Sequence, residues 1–426
     1  MPAALTPDVF ARLLQPGQRV YWPGCAGASA LFDAWFVARP QSAAGLNFCG
    51  VWIPGINTLD PGAWHPQARA ETFFMTPELH GSWQRGAVDH RPWHYSAIAR
   101  WMAEPGHFDV LLLQVAPPDA QGRCSLSIAA DFAPIVLQAL QAGAVVLAHV
   151  NPRLPSTAGP TVAVADITAW VEADMPLLTV AEGAPSAATQ ALAAQVADQV
   201  RNGDTLQFGL GRLQSAVQAA LRSHRGLRLH SGMVSDGLLG LQQAGALAAV
   251  DGRGPPVTTG VALGSTALYA AMADAALVRF APVSHTHDAG VLAAVPRLVS
   301  INAAFEVDLL GQVNAETLAG RQRSGSGGLV DFARGARASA HGRSLIAINA
   351  TAGRGPGAQV SRIVPLLRAG PVSMARADVD TVVTEHGAAP LRHLGVDARA
   401  QALIGIAAPE HRDDLSRAWH TLRRTF

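Results

Sequence analysis

The sequence predicts an α/β protein made of two related domains, each with a mainly parallel β-sheet covered by helices. Three observations lead to this prediction. Short apolar runs of strand length alternate with helix-like segments along all 426 residues, which is enough chain for two domains. The two halves share glycine-marked positions. A polar, breaker-rich stretch lies between them, so we predict domains at residues 1–185 and 186–426.

The repetition between the halves has three anchors, which occur in the same order in both. They pair Gly17 with Gly203, Gly122 with Gly311 and Gly143 with Gly342. Their spacing grows slowly along the chain, as small insertions in the second copy would make it. Short glycine patterns also recur by chance in α/β proteins, but the preserved order argues against chance. We therefore expect two copies of one α/β domain.

The N-terminal segment is typical of a helix that Thr6 caps, with Pro7 in its first turn. It lacks the basic start and the continuous apolar core of a secretory signal peptide. Apolar runs elsewhere have the length of buried strands and are too short to cross a membrane. After the polar stretch, a helix should run over residues 187–201. These features predict a soluble, cytoplasmic protein that does not bind membranes.

The composition excludes several classes of function. The net charge is +1, which gives no electrostatic reason to bind nucleic acid. All 32 basic residues are arginine, so Schiff-base chemistry, a pyridoxal-phosphate lysine and a Walker A lysine are excluded. The three cysteines are widely spaced and form no C-x-x-C, so neither a zinc site nor a disulfide framework is expected. We expect no bound cofactor and no metal.

The most informative stretch covers residues 203–237. It is typical of a strand, a turn at Gly209 and Gly211, a helix over residues 215–224, and a second strand over residues 227–230 that ends in another turn. Open α/β sheets bind ligands where strands end and helices begin. A Gly-x-Gly turn there exposes backbone N–H groups to an anion or a developing oxyanion.

This stretch resembles the class I coenzyme A transferases, in their acetyl-CoA hydrolase/transferase and 4-hydroxybutyrate CoA-transferase branch. That branch has a similar G-D-x-x-L-Q-x-G-I/L-G followed by I/L-H-S/T-E-x-x-S-D-G. Other segments, such as DVLLLQVAPPDAQGRCSLS and HVNPRLPSTAG, are also similar to the branch, in the same order. The resemblance covers nearly the whole chain. It implies two related α/β domains with the active site in the cleft between them, and an acyl-CoA as substrate.

One departure from the family pattern decides how the chemistry is interpreted. The glutamate of the second motif is the family's covalent nucleophile, and Gly232 stands in its place. A glycine has no side chain to form an acyl-enzyme, so the family's double-displacement route is not expected here. Two carboxylates are the candidates for a displaced nucleophile. Asp236 matches an aspartate that relatives have beside their glutamate, and Glu306 lies in a segment expected to form a strand and turn.

Histidines occur where the carboxylate is missing. His230 ends the strand before Gly232, as in the family. Residues 284–288 replace a segment similar to D-Y-V-N-D in relatives, and His287 falls at the asparagine that lines their active site. A histidine is suited to act as a general base on water near neutral pH. The alternatives are loop histidines in a solvated turn, or a metal held by His285 and His287, for which H-x-H is a weak signal.

The resemblance also implies the residues that contact the coenzyme and the substrate. They are six glycines in three glycine-containing motifs: Gly209, Gly211, Gly325, Gly327, Gly328 and Gly387. Arg323 stands where many relatives are apolar, which would favour a dicarboxylic acyl group. We expect a homodimer, or a pair with a homologous subunit, because relatives are commonly dimeric.

These observations predict an acyl-CoA-processing enzyme that hydrolyses its substrate, either at the thioester or at an activated C–C bond. A second hypothesis is a CoA-transferase that moves CoA between short-chain carboxylic acids, using a displaced carboxylate such as Asp236 or Glu306. A third is a non-catalytic subunit that only binds acyl-CoA. The three hypotheses differ in whether a carboxylic acid is needed for thiol release and whether thiol is released at all.

Overall fold

The computed structural model describes residues 2–181, 183–353, 359–368 and 370–425. Its first half contains ten strands and five helices. The strands are β1 (Ala3–Ala4), β2 (Arg19–Tyr21), β3 (Asn47–Gly50), β4 (Arg69–Thr72), β5 (Val88–His90), β6 (Val110–Val115), β7 (Arg123–Ser125), β8 (Val145–Val150), β9 (Thr161–Ala163) and β10 (Ala169–Glu172). The helices are α1 (Pro7–Leu13), α2 (Ala30–Ala38), α3 (His80–Gln84), α4 (Tyr95–Met102) and α5 (Ala133–Ala139).

The second half continues the alternation of strands and helices. The larger strands are β11 (Thr205–Phe208), β12 (Arg228–Val234), β13 (Val257–Ala262), β14 (Val278–Phe280), β15 (Leu298–Ala303), β20 (Arg343–Ala347), β24 (Thr381–Thr384) and β25 (Gly387–Pro390). The short strands are β16 (Glu306–Asp308), β17 (Val313–Asn314), β18 (Thr317–Leu318), β19 (Arg321–Gln322), β21 (Thr351–Ala352), β22 (Val360–Ser361) and β23 (Ile363–Val364). The helices are α6 (Ala187–Ala197), α7 (Arg212–Ala220), α8 (Gly237–Gln243), α9 (Thr266–Ala271), α10 (Val283–Thr286), α11 (Ala289–Ala294), α12 (Leu329–Ala338), α13 (Val396–Gly405) and α14 (Arg412–Leu422). No helix in the described part of the chain is both long and apolar enough to cross a membrane.

The two large sheets have the same order in seven of their eight strands, and they differ in the edge strands β1 and β25. The first runs β1-β10-β8-β6-β2-β3-β4-β5, and the second, in the matching direction, runs β25-β24-β20-β15-β11-β12-β13-β14. All neighbours in both sheets are parallel except β24 and β25, which are antiparallel. The anchor glycines Gly17 and Gly203 precede the equivalent strands β2 and β11. The prediction of two copies of one α/β domain with mainly parallel sheets is confirmed.

The prediction for the first helix is confirmed. For the helix after the polar stretch, the predicted start is correct and the predicted end is not. The Thr6 side chain accepts a hydrogen bond from Val9 N at 3.3 Å and Pro7 begins α1, as predicted. Helix α6 begins at Ala187 as predicted, but it ends at Ala197 instead of residue 201. The chain must turn back at Gly203, whose φ is 78°, to enter β11, and this turn leaves no room for a further helical turn.

The predictions for the stretch around Gly232 need two corrections. Helix α7 begins at Arg212, three residues before the predicted start, and ends at Ala220. Strand β12 does not end at His230 but continues to Val234, so Gly232 lies within a strand and not in a turn. The extension results from pairing with β13, whose register joins Met233 to Val261 and Val234 to Ala262. A neighbouring strand supplied by tertiary structure thus overrides the local turn signal.

The two halves are joined by backbone hydrogen bonds and a shared apolar core. Ala130 N donates to Gly260 O at 2.8 Å, and Tyr95 N donates to Gly327 O at 3.1 Å. The largest cluster of buried apolar side chains contains residues from both halves, such as Phe132 and Leu229. The carboxyl ends of β11, β12 and β15 therefore face the first half across a narrow cleft.

Asp204, directly after the anchor Gly203, is a carboxylate that pairs with two arginines of the second half. It is fully buried, accepts from Arg201 N at 2.7 Å and from Arg297 Nε at 3.0 Å, and pairs with Arg343. Replacing Asp204 by asparagine should lower the free energy of unfolding by about 3 to 5 kcal/mol, because the charge that compensates two arginines is lost. Urea denaturation of the wild type and the variant would measure this loss of stability.

The matched control for this prediction is Asp414→Asn. Asp414 pairs with Arg417 on the surface, where both side chains are 72% exposed, so solvent screens the pair and its loss should leave the midpoint unchanged. Equal midpoints for the two variants would contradict the structural role of Asp204.

Candidate active site

A cavity of about 300 Å³ lies in the cleft between the two halves. It is at the carboxyl ends of β11, β12 and β15, which is the edge where parallel sheets place ligands. The first half contributes Cys25, Val51, Ile53, Pro54, Phe74, Tyr95 and Asp131. The second half contributes the ends of these strands, Gly232, His287 and the glycine-rich loop over residues 324–328. We call this space the main cavity.

The imidazole of His287 occupies the space between two glycines of the main cavity. A Cβ atom on Gly232 would lie 2.8 Å from His287 Cε1 and 3.1 Å from His287 Nε2. A Cβ atom on Gly328 would lie 2.5 Å from His287 Nε2. Such distances are shorter than atomic contact allows, so neither glycine can carry a side chain while the ring stays where it is. A glycine at position 232 is therefore required by the position of this histidine ring.

The surroundings of His287 hold the ring and keep it uncharged. The residue is 3% exposed, and its ring packs against Phe332 and Tyr95 at centroid distances of 4.6 and 5.0 Å. Its Nδ1 lies 2.9 Å from Thr286 Oγ1, whereas Nε2 has no hydrogen-bond partner among the described residues. Burial lowers the pKa of His287 to about 3, with a smaller contribution from His230. Thr286 Oγ1 donates to Pro282 O at 3.4 Å, so it accepts from Nδ1–H of the neutral ring, and the lone pair of Nε2 is free at neutral pH.

His230 lies behind His287 and does not line the main cavity. It is 6% exposed, and its Nε2 lies 3.1 Å from Thr286 O, the carbonyl next to His287. Burial lowers its pKa to about 4, so the ring is neutral and its Nε2–H donates to that carbonyl. His230 thus holds the turn that carries His287.

His285 is on the side of this turn away from the main cavity. Its Nε2 lies 3.4 Å from Arg279 Nη2, and its ring centroid lies 5.8 Å from that of His230. Within the described ranges, no group of three or more His, Cys, Asp or Glu side chains has an arrangement that would hold a metal ion.

The two carboxylates proposed from the sequence lie outside the main cavity. Asp236 accepts hydrogen bonds from the backbone N of Ser265 at 3.0 Å and from its Oγ at 2.6 Å. It lines a second cavity of about 350 Å³. Glu306, in β16, accepts from Asn314 Nδ2 at 3.2 Å and lines neither cavity. Both side chains have structural partners.

The six predicted contact glycines separate into three groups. Those that line the main cavity are Gly209, Gly325, Gly327 and Gly328. Gly211 and Arg323 line the second cavity, which adjoins the main one through shared lining residues such as Leu210. Gly387 lies in β25 beside Ile406 and lines neither cavity.

Sequence reasoning missed an acid that lines the main cavity. Asp131 is partly exposed, to the cavity, and burial raises the pKa of its carboxyl to about 6. Its one local signal is an acidic residue within an apolar run, residues 128–134. Cys25 also lines the cavity, but burial raises the pKa of its thiol to about 12, so it is an un-ionised thiol and a poor nucleophile.

A reciprocal amide pair, also missed from the sequence, forms another part of the wall. Asn302 Nδ2 donates to Gln207 Oε1 at 3.0 Å, and Gln207 Nε2 lies 3.3 Å from Asn302 Oδ1. The pair joins the ends of β11 and β15 at the rim of the main cavity. Each amide satisfies the other, so the pair places two polar groups in an apolar wall without leaving them unpaired.

Comparisons with known proteins agree with this architecture. The acetyl-CoA hydrolase/transferase N-terminal domain matches residues 4–180, and the acetyl-CoA hydrolase/transferase C-terminal domain matches residues 264–419. The 4-hydroxybutyrate coenzyme A transferase of Clostridium kluyveri is 34% identical over 87% of each chain. The succinyl-CoA:cyclohexane-1-carboxylate CoA transferase of Geobacter metallireducens is 31% identical over 98% of this chain and 95% of its own.

A solved structure extends the likeness to the whole fold. RipA from Yersinia pestis superposes with a TM-score of 0.88 at 26% identity, over 99% of this chain and 97% of its own. The sequence matches cover both halves, and the cleft is where the resemblance places the active site. This chain belongs to the acetyl-CoA hydrolase/transferase family.

Proposed function

We propose that the protein hydrolyses acyl-CoA thioesters in the main cavity, without an acyl-enzyme at position 232. The observation that carries this proposal is the His287 ring, which takes the volume that a side chain at Gly232 would need. The resemblance in the sequence puts the family's glutamate at that position. In the proposed reaction water attacks the thioester, and the products are a free carboxylic acid and coenzyme A.

His287 is placed to hold this water. Its Nε2 lone pair has no protein partner in the described structure, while Thr286 engages Nδ1 and thereby orients the ring. The sequence suggested a general base, but burial lowers the pKa of His287 to about 3, so the ring does not take up a proton near neutral pH. We therefore assign His287 the role of accepting a hydrogen bond from the attacking water.

We place different parts of the substrate in the two cavities. The glycine-rich turns at Gly209 and residues 324–328 line the main cavity, where we place the thioester and the acyl group. The second cavity adjoins it and contains Arg323, so we place part of the coenzyme there. In this arrangement Arg323 does not reach the acyl group, and the preference for a dicarboxylic acyl group that its position in the sequence suggested is not supported.

The charge of the main cavity predicts which acyl groups are accepted. Among the described residues that line it, Asp131 is the only one charged at pH 7.5, since burial keeps His287, Cys25 and Tyr95 neutral. A carboxylate on the acyl chain would meet a like charge and no cation. We expect kcat/KM for succinyl-CoA to be lower than for butyryl-CoA by roughly tenfold or more, which corresponds to about 1.4 kcal/mol of repulsion.

Thiol release from these two thioesters, measured with and without added acetate, tests both the reaction and the specificity. Release that does not need acetate, and that is faster for butyryl-CoA, is the expected result. Release only in the presence of acetate would contradict hydrolysis and favour a CoA-transferase. Binding of butyryl-CoA without any release would favour a binding subunit.

A further inference from the structure

We infer that Asp131 is the catalytic base of this site, contributed by the first half of the chain to a cavity formed largely by the second. In this inference its carboxylate takes a proton from the water that His287 holds. The inference rests on the proposed hydrolysis and adds the group that activates the nucleophile.

The backbone around Asp131 is fixed by hydrogen bonds between the halves. Ala130 N donates to Gly260 O at 2.8 Å, and Ala262 N donates to Ile128 O at 2.9 Å. On the other side, Val283 N donates to Asp131 O at 2.9 Å. The segment before α5 therefore lies along β13 and contacts the start of α10. Such a constraint holds a catalytic side chain in one place, which is what efficient proton transfer requires.

This backbone position brings Asp131 next to Gly232. The register of β12 and β13 joins Ser231 to Thr259 and Met233 to Val261, so Gly260 is the neighbour of Gly232. A Cβ atom on Gly260 would lie 3.1 Å from Gly232 O and 3.4 Å from Asp131 Cβ. The Cβ atom of Asp131 therefore lies beside Gly260, which is the neighbour of the strand position that the family's nucleophile would occupy.

One aromatic side chain connects Asp131 with His287. The Tyr95 ring lies 5.0 Å from the His287 ring and 5.1 Å from the ring of Phe132, the residue after Asp131. The negative charge of Asp131 also contributes to the raised pKa of Tyr95, after burial itself. Asp131, Tyr95 and His287 all line the main cavity, where we place the water molecule and the thioester.

The carboxyl of Asp131 occurs in none of the ion pairs of the described residues. The backbone N–H groups of Phe132 and of Asp131 itself lower its pKa by less than burial raises it. The titratable groups that its charge affects are Tyr21, Tyr95 and Cys25, and His287 lines the same cavity; all four are neutral at pH 7. A buried acid normally has a charged partner. One that lacks it, and titrates at about pH 6, is suited to take up a proton near neutral pH.

The step balances without another reactant. The water oxygen bonds to the thioester carbonyl carbon while one water proton moves to Asp131. The tetrahedral intermediate then collapses, the C–S bond breaks, and the sulfur leaves with the bonding electrons as the thiolate of coenzyme A. The proton on Asp131 passes to that thiolate or to solvent, which restores the carboxylate.

The test is Asp131→Asn, which keeps the shape and removes the base. We expect kcat for butyryl-CoA hydrolysis to fall by roughly 10² to 10⁴-fold, as is usual for the loss of a general base. In the wild type, kcat should fall as the pH drops through about 6, because protonated Asp131 cannot accept a proton. This acidic limb should be absent from the residual activity of the variant. Asp166→Asn, an exposed acid of the same half, is the matched control and should retain wild-type kcat.

Stability measurements separate a catalytic from a structural role. Because burial raises the pKa of Asp131 in the folded protein above its unfolded value, the ionised group opposes folding at pH 8. The Asn variant should therefore melt at the same temperature as the wild type or higher. If it fails to fold, Asp131→Glu supplies the second test, since it keeps a carboxylate and should retain a shifted acidic limb. A flat pH profile for the folded Glu variant and the wild type would overturn the inference.

The outcomes distinguish this inference from the proposed function. Wild-type thiol release without an acceptor, together with full activity of Asp131→Asn, would leave hydrolysis standing and overturn the role of Asp131. A single turnover in ¹⁸O water should label only the product acid. Label in the peptide that contains Asp131, or a hydroxamate formed at Asp131 when hydroxylamine is added, would show that Asp131 is a nucleophile and overturn its assignment as a base.

Discussion

Replacing His287 by alanine is expected to lower kcat for thiol release from butyryl-CoA by roughly 10²-fold or more, because the attacking water loses the acceptor that orients it. Its ring also separates Gly232 from Gly328, so its removal opens a space in which water is no longer held at one position. The KM should change less than kcat, since the ring is assigned to the water and not to the coenzyme. Steady-state thiol release at pH 7.5 measures both constants.

His285→Ala is the matched control for this experiment. His285 lies two residues away on the same turn, but its ring contacts Arg279 and does not line the main cavity. Its loss should leave kcat within about twofold of the wild type, in line with a surface change. Equal losses in both variants would point to a shared function such as a metal site, and wild-type activity of His287→Ala would remove His287 from the mechanism.

The repeated architecture was predictable because its signals are local. Glycines such as Gly17 and Gly203 mark the turns that lead into equivalent strands, and turns depend on backbone conformations that few other residues adopt. The length of β12 was not predictable in the same way. Its last residues are strand because β13 pairs with them, and no property of residues 231–234 alone indicates this.

From the sequence, two kinds of residue could be assigned to the main cavity: glycines that match the family's motifs, such as Gly209 and Gly328, and the unexpected pair Gly232 and His287. Gly232 and His287 stand out because both replace residues that the resemblance leads one to expect, and the structure puts one against the other. Asp131 could not be recognised in this way. Its environment arises from docking of the two halves, which removes water from the carboxyl and brings no cation near it. A raised pKa of this kind is a property of tertiary structure, not of sequence spacing.

Gly232→Glu is expected to abolish thiol release as a single substitution and to create CoA-transferase activity when combined with His287→Asn. In the single variant the new side chain would meet the imidazole, because its Cβ would lie 2.8 Å from His287 Cε1. The ring cannot yield easily, since Phe332 and Tyr95 pack against it. The cavity would then be filled or distorted, and binding of butyryl-CoA should weaken together with kcat.

In the double variant the smaller asparagine frees the space beside position 232, and the resemblance places an asparagine there in relatives. The new carboxylate should then attack the thioester and, after the CoA thiolate returns, form a glutamyl-CoA thioester, which hydroxylamine should convert into a hydroxamate at position 232 with release of coenzyme A. CoA exchange between butyryl-CoA and acetate is the decisive measurement, with His287→Asn alone as the control that lacks the nucleophile.

The two substitutions are expected to be strongly non-additive, since each changes the space in which the other acts. Exchange in the double variant and in neither single variant would show that residues 232 and 287 act as one unit. A glutamate at position 232 would then need a small residue at position 287, and an imidazole at position 287 would need a glycine at position 232. Exchange in Gly232→Glu alone would show that the ring moves aside, and the steric argument for hydrolysis would fail. No exchange in a folded double variant would mean that the cavity cannot present a thioester to position 232, and the assignment of the acyl group to the main cavity would have to be abandoned.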